Sequence, residues 1–276
     1  MKNLDRTRFG PWAVVTGASS GIGREFARQL AAHRVHVVLV ARREALLREV
    51  GRELTARYEV QHRVVAVDLT EPDAVARIAR ATDDLDIGLV VSNAGSAMSG
   101  EFLSHDLDGL RTVAHLNVMA NLDVAHHFGR RLVRRGRGGL ILVSAANSSY
   151  GVPNMANAAA TKAYVTSLGR ALHAEFARAG VSVSVLLPGP TETPVLDELG
   201  FQRDSSPIKP MPVEQCVTEG LDAVAANRAT LVPGRVNRIM DTVIPARVSA
   251  AITGRMIGRW LRPGTTQHAN VTGEAR

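Results

Sequence analysis

Lys162 is the one charged side chain between Ser144 and Tyr164, and the chemistry of the chain has to be read around it. The stretch Ile141 to Tyr164, ILVSAANSSYGVPNMANAAATKAY, holds no carboxylate, histidine or cysteine, and Ala158 to Ala160 occupy the turn before the lysine. A second set of residues says what it would serve. The apolar run Trp12 to Thr16 leads into GASSGIG and then REFARQLAAH, with Phe26, Ala27 and Leu30 at helical spacing. This reads as strand, glycine turn and helix, in which Gly17, Gly21 and Gly23 let the backbone approach a pyrophosphate held on the free N–H groups of the helix start. An ordinary βα turn is the bland alternative, and the flanking strand and helix favour the nucleotide. A third set follows the apolar strand Val35 to Ala41. An acid placed there would hold a ribose 2′-hydroxyl, whereas this chain has Arg42-Arg43, which suits a 2′-phosphate and therefore NADP over NAD. Arg24 either reaches the same phosphate or is a solvated helix arginine.

These groups need a scaffold, and the chain spells one out by alternation. Helix Glu44 to Tyr58 precedes strand Val64 to Val67, closed by Asp68-Leu69-Thr70. Helix Pro72 to Ala81 precedes strand Ile87 to Ser92, closed by Asn93-Ala94-Gly95. Strand and helix in alternation predict an α/β doubly wound parallel sheet, a Rossmann fold, whose ligands bind at the carboxyl ends of strands. Asp68 and Asn93 are then placed near adenine or ribose. A long helix, Asp106 to Arg135, carries Asn117; strand Leu140 to Ser144, helix Asn157 to Ala179 and strand Val181 to Leu187 complete the alternation up to Pro188-Gly189-Pro190-Thr191-Glu192-Thr193.

The 276 residues, 45% of them hydrophobic, are enough for one large domain, and a single cysteine, Cys216, excludes an internal disulfide framework. The start lacks a signal-peptide core, and no run approaches the roughly 18 apolar residues of a spanning helix, so a cytoplasmic protein is expected. The net charge of +7 admits phosphorylated ligands, nucleic acid or anionic membrane. Five arginines within Arg130 to Arg137 resemble a nucleic-acid patch but read as cations complementing a helix C-terminus, since no aromatic platform interleaves with them. His115, His126 and His127 lack a carboxylate or cysteine at metal-ligand spacing, and no metal is expected.

Thr16-Gly17-x-x-x-Gly21-x-Gly23, Asp68, Asn93-Ala94-Gly95, Asn117, the Ser144 strand end, Lys162 and Pro188-Gly189 together resemble the short-chain dehydrogenases/reductases, over about residues 10 to 235. The resemblance implies cofactor contacts at Gly17, Ser19, Ser20, Gly21, Ile22, Gly23, Arg42, Asp68, Leu69, Asn93, Ala94, Gly95, Lys162, Pro188, Gly189, Thr191 and Thr193. It also implies a catalytic set in which tyrosine is the acid or base, lysine binds the nicotinamide ribose and lowers the tyrosine pKa, serine orients the substrate oxygen, and asparagine, here Asn117, supports a water relay. The chain departs from that set. Ala158 stands four residues before Lys162, where the family has tyrosine, and the family's serine position falls on Ala145, with Ser144 one place off. Three explanations stay open: an inactivated form of an ordinary reductase, a relative that uses the scaffold for binding or a non-redox step such as a cyclisation, or replacement of the acid by Tyr150. Tyr164 is expected to pack.

The same resemblance implies a lid over about residues 191–212, where Leu196, Leu199, Phe201, Ile208 and Met211, with Met155 and Val195, suggest an apolar pocket for a hydrophobic ketone or alcohol. It implies a homodimer or homotetramer as well. Residues 1–240 are thus expected to form the catalytic domain. Residues 241–276 are expected to add a basic amphipathic helix, with Val248, Ile252, Met256 and Trp260 on one stripe, and a flexible tail. Residues 243–262 could meet an anionic membrane or dock on the domain itself.

Overall fold

Seven parallel strands lie in the order β3-β2-β1-β4-β5-β6-β7: β1 (Trp12–Thr16), β2 (His36–Ala41), β3 (His62–Ala66), β4 (Ile87–Ser92), β5 (Gly138–Val143), β6 (Val181–Leu186) and β7 (Thr230–Leu231). The protein is represented by a computed structural model describing residues 4–260 apart from 147–149, 202 and 204–208. β1, β4, β5 and β6 are buried along their whole length, which is why they read as unbroken apolar runs: helices cover both faces of a parallel sheet. α1 (Arg6–Phe9) precedes β1. On one face α2 (Gly21–Ala32) and α3 (Glu44–Tyr58) press Phe26, Leu30, Leu47 and Leu54 against Val15, Leu39, Leu89 and Ile141. On the other, α4 (Ala74–Arg80) contributes Ile78, packed with Val14, Val38, Val90 and Leu140.

The chain reverses its winding between β1 and β4, and ligands of such sheets bind at that switch. Thr16, at the end of β1, stitches the switch: its Oγ1 accepts from the backbone N–H of Asn93 at 2.9 Å and of Ala94 at 3.0 Å. The expected third strand starts two residues early, at His62, because the edge strand continues its register with Val37.

The expected helix from Asp106 to Arg135 is one continuous helical rod with a defect. Asp106 caps α5 (Leu107–Ala114), accepting from the Gly109 N–H at 2.7 Å, and a π-helical segment His115–Met119 then leads into α6 (Ala120–Arg135). Wider turns of this kind concentrate at functional sites, and this one holds Asn117. α6 adds Phe128 and Leu132 to the second core, as α7 (Ala156–Ala177) adds Val165. The arginines at the end of α6 have carbonyl partners: Arg131 donates to Thr82 O and Leu85 O, Arg135 to Arg8 O and Gly10 O, and Arg137 to Thr7 O. They bind the lower end of the sheet together.

After β6 come α8 (Pro194–Glu198), α9 (Val213–Ala225), α10 (Arg235–Val243) and α11 (Ala246–Trp260). The base of the expected lid is fixed by a bridge, with Glu192 N donating to Met211 O and Met211 N to Pro190 O, both at 2.9 Å. Its middle, with Ile208, lies largely outside the described residues. On α11, Ala250, Gly254 and Ile257 face the domain, whereas Val248 and Ile252 of the expected stripe are exposed. Small residues permit a closer approach than the larger ones would. Tyr164, expected to pack, is 37% exposed on α7. Among the described residues no helix is long and apolar enough to cross a membrane, and no cluster of potential ligands could hold a metal. The tail after Gly264 lies outside the described residues.

Candidate dinucleotide and reaction site

The glycine turn is a backbone cradle from which side chains are excluded by geometry. Gly17 has φ +67° and Gly21 φ +53°, conformations that favour glycine. A Cβ on Gly17 would stand 2.7 Å from Asn93 Nδ2, and one on Gly23 only 2.2 Å from Gly17 O. Asn93 braces the turn from below, donating from Nδ2 to Thr16 O at 3.0 Å. Ser20 precedes α2 in extended conformation without spending its hydroxyl on the cap, and Ile22 packs into the core behind. Thr193 stands over Gly21, with Cβ 3.3 Å from where a methyl would be. A cleft of about 330 Å³ beside the turn is lined by Ser19, Ser20, Gly21, Arg24, Glu192 and Pro194. A larger open groove of about 490 Å³ lies around Trp12, His62 and Arg63, at the opposite ends of the strands, and contains none of the motif residues.

At the end of β2 the two arginines divide. Arg42 Nη1 lies 3.7 Å from Asp68 Oδ2, while Asp68 Oδ1 accepts from Thr70 N at 2.9 Å, and Leu69 beside it is buried. Arg43, which is not among the contacts the resemblance implies, donates from Nη2 to Ser19 Oγ at 3.1 Å and approaches Ser20 Oγ at 3.4 Å. A guanidinium and two hydroxyls beside a helix start form an anion seat. Arg24, on the wall of the same cleft, pairs with Glu53 at 2.7 Å.

The reaction end is assembled from β4, β5, the π segment and α7. Asn117 is fully buried: its Oδ1 accepts from Ser96 N at 3.0 Å, and its Nδ2 donates to Ser96 O at 2.8 Å and to Thr161 Oγ1 at 2.9 Å. Thr161, a residue the motif reading passed over, donates in turn to Ala158 O at 2.8 Å. The asparagine therefore fastens the Gly95–Ser96 loop to α7. Gly95 is needed here because a Cβ would lie 3.0 Å from Asn117 Oδ1 and 3.1 Å from Lys162 Nζ. Lys162 Nζ donates to Val143 O at 3.0 Å. Ser144 does not face the same space: it is buried, with its hydroxyl donating to Lys162 O and paired with Thr166 Oγ1, each at 2.8 Å. Ala145, the next residue, is half-buried, and Ala146 N donates to Pro188 O at 2.8 Å, tying this wall to the Pro188–Gly189 turn. Thr191, buried, donates to Gly189 O at 2.9 Å. Ala158 is almost wholly buried, Tyr150 half exposed. Cys216 is buried too, which pushes its thiol up to about 12 and removes it as a nucleophile.

Burial pulls the Lys162 ammonium down to about 8. The free lysine pKa is higher, so the unfolded chain holds this proton over a pH range in which the folded chain has released it. The cost of burying the charge is fully felt below pH 8 and fades as pH rises towards the unfolded value. Lys162→Met is thus expected to be more stable than the parent at pH 7, with the advantage shrinking as pH is raised through the range above 8, as measured by urea denaturation at several pH values. A constant or growing advantage would contradict the depressed pKa.

A doubly wound sheet with a glycine turn, an arginine and two serine hydroxyls at the end of β2 and a half-buried lysine reaching the end of β5 defines the class of dinucleotide-binding α/β proteins. Within that class the comparison is specific: the profile of the short chain dehydrogenases matches residues 11–204. The chain belongs to the short-chain dehydrogenase/reductase family. It is 31% identical over 191 residues to a 7β-hydroxysteroid dehydrogenase of Mediterraneibacter gnavus, covering 69% of this chain and 73% of that one. It is 33% identical over 187 residues to the very-long-chain 3-oxoacyl-CoA reductase of Rattus norvegicus, covering 66% of this chain and 59% of the relative. Among solved structures, a short-chain dehydrogenase from Sphingobium yanoikuyae in complex with NADPH superposes with a TM-score of 0.76 at 27% identity, over 92% of this chain and 97% of the other.

Proposed function

We propose that this chain is an NADP(H)-binding member of the family built for a bulky hydrophobic ketone or alcohol, and that its turnover is impaired because the proton donor is missing. When bound, the cofactor supplies or accepts a hydride at the substrate carbon. The protein's own groups divide the remaining work. Arg43, Ser19 and Ser20 take the 2′-phosphate, with Arg42 and Asp68 on the adenosine side, and the glycine turn takes the pyrophosphate on α2. Lys162 holds the ribose, while Asn117 and Thr161 keep the Gly95 loop against α7. The observation that carries the impairment is Ala158, which lies in this network one turn before Lys162 and has no group to give a proton to a substrate oxygen. The substrate class is supported by the names of the relatives, a steroid and a very-long-chain acyl enzyme, and by the buried Leu196, Phe201 and Met211 of the lid segment.

The near-complete burial of Ala158 also favours a second reading, a binding protein in which the phenol's place is closed over. Fluorescence titration tests the cofactor first. NADPH is expected to bind at least about tenfold more tightly than NADH, and Arg43→Ala to remove most of that preference, since a charge-assisted contact to phosphate contributes roughly 1.5–3 kcal/mol. Arg42→Ala is expected to have the smaller effect. Tighter NADH binding would overturn the assignment, and no binding of either would remove the cofactor altogether.

A further inference from the structure

The two C-terminal helices carry two different surfaces. α11 grips its own domain through Ala250 and Ile257, which pack with Val152, and through Gly254, whose Cβ would stand 2.7 Å from Pro153 Cδ. Asn154 Nδ2 donates to Gly254 O at 3.0 Å across this contact. Docking therefore uses the small residues. The larger aliphatic side chains point elsewhere: on α10, Val236, Ile239 and Val243, spaced three and four apart, are 69%, 63% and 72% exposed, and on α11 Val248 and Ile252 are exposed as well. Arg235, Arg247 and Arg255 are exposed on the same two helices.

Charge selects what covers this face. Residues 235–262 hold six arginines against a single acid, Asp241. A second copy meeting the face symmetrically would set the same cations opposite one another, which disfavours it. An anionic bilayer suits both halves of the pattern, because aliphatic side chains enter the headgroup and acyl boundary while arginines remain at the phosphates.

We propose that α10 and the outer face of α11 form a peripheral docking surface for anionic phospholipid bilayers, placed so that the reaction cleft opens beside the membrane. The placement follows from contacts with two loops that follow strand ends at the reaction side of the sheet. Asn237 of α10 donates to Pro233 O at 3.0 Å and would be 3.2 Å from a Cβ on Gly189, so α10 rests on the Pro188–Gly189 turn. α11 holds Asn154, whose carbonyl accepts from Gly100 N at 2.9 Å in the loop after β4. A hydrophobic substrate would then pass from the acyl layer to the cleft with little exposure to water. This second part rests on the substrate class proposed above; the docking itself does not.

Co-sedimentation of the full chain with vesicles separates the two. Vesicles of phosphatidylcholine mixed with phosphatidylserine are expected to pellet the protein, and added salt to release it, whereas phosphatidylcholine alone should leave it in solution. Val236→Ser with Ile239→Ser and Val243→Ser is expected to weaken partitioning by about 10²-fold. Arg247→Gln and Arg255→Gln should each weaken it about fivefold. NADPH titration of every variant is expected to match the parent and so reports folding. Failure to pellet with anionic vesicles, equal pelleting of the triple variant, or salt-resistant pelleting on neutral vesicles would overturn the proposal. So would a drop in oligomeric mass of the triple variant by light scattering with no vesicle binding by the parent, which would make the occupant a second copy. Pelleting by a chain whose Ala145→Ser, Ala158→Tyr form reduces no ketone would leave the docking standing and remove the substrate route.

Discussion

Ala145→Ser combined with Ala158→Tyr is expected to raise NADPH oxidation against a panel of bulky apolar ketones by about 10²–10⁴-fold over the parent chain, the usual worth of a positioned general acid. A free phenol titrates near pH 10 and gives up its proton poorly at neutrality. Beside Lys162 that changes, because an ammonium one helical turn away stabilises the phenolate and lowers its pKa. The surrounding frame is already present: Asn117 and Thr161 lock the backbone of α7 at Ala158 itself, and Gly95 leaves room for Lys162 Nζ. Ala158→Tyr alone should give most of the gain and Ala145→Ser alone little, since an orienting hydroxyl without an acid has nothing to orient for. The combination should exceed the product of the single effects, as groups that act as a unit are non-additive. A repaired protein that binds NADPH as tightly as the parent and reduces none of the ketones would sink the reductase reading and leave the binding one. The burial of Ala158 sets a further condition, because a phenol there has to displace whatever closes over the methyl. A loss of NADPH affinity in the repaired variant would report that strain.

Much of this site was legible in the sequence because its parts are local. A strand, three glycines and a helix within Trp12 to Ala32 encode the cradle, and the strand ends at Asp68 and Asn93 follow from alternation alone. What was not legible depends on contacts between distant segments. Nothing in Arg42-Arg43 says that the second guanidinium turns to Ser19 while the first turns to Asp68, since that depends on how the chain leaves β2. The pairing of Asn117 with Thr161 spans 44 residues, and the π segment that admits it leaves no mark in a pattern of apolar spacing. Ser144, expected as the last residue of its strand, is the first residue after β5, and its hydroxyl goes to Lys162 O and Thr166 on α7. On α11 the apolar periodicity picks out the stripe of Val248 and Ile252; the domain is met instead by Ala250, Gly254 and Ile257, because Gly254 allows contact with Pro153.

Gly23→Ala is the substitution expected to damage cofactor binding most, and it does so without touching a charge. The added methyl would lie 2.2 Å from Gly17 O, 2.6 Å from Asn93 Nδ2 and 2.7 Å from Gly17 C, and two of those atoms are backbone, so the turn itself must open. Overpacking of this kind costs roughly 1–3 kcal/mol of stability, and the N–H groups that would face the pyrophosphate move with the turn. NADPH affinity should fall by about 10²-fold or more, beyond the loss from Arg43→Ala, because the whole cradle is lost and not one contact of it. Gly21→Ala should be milder: its φ of +53° strains a side chain, but the nearest atoms belong to the Thr193 side chain at 3.3 Å and can yield. Gly151→Ala, whose methyl would meet nothing within 4 Å, should change affinity and stability little. The order Gly23 before Gly21 before Gly151, read by NADPH titration alongside thermal unfolding, tests the cradle independently of catalysis. If Gly23→Ala bound NADPH like the parent, the pyrophosphate would have to sit somewhere other than on α2, and the placement of Lys162 at the nicotinamide end would fall with it.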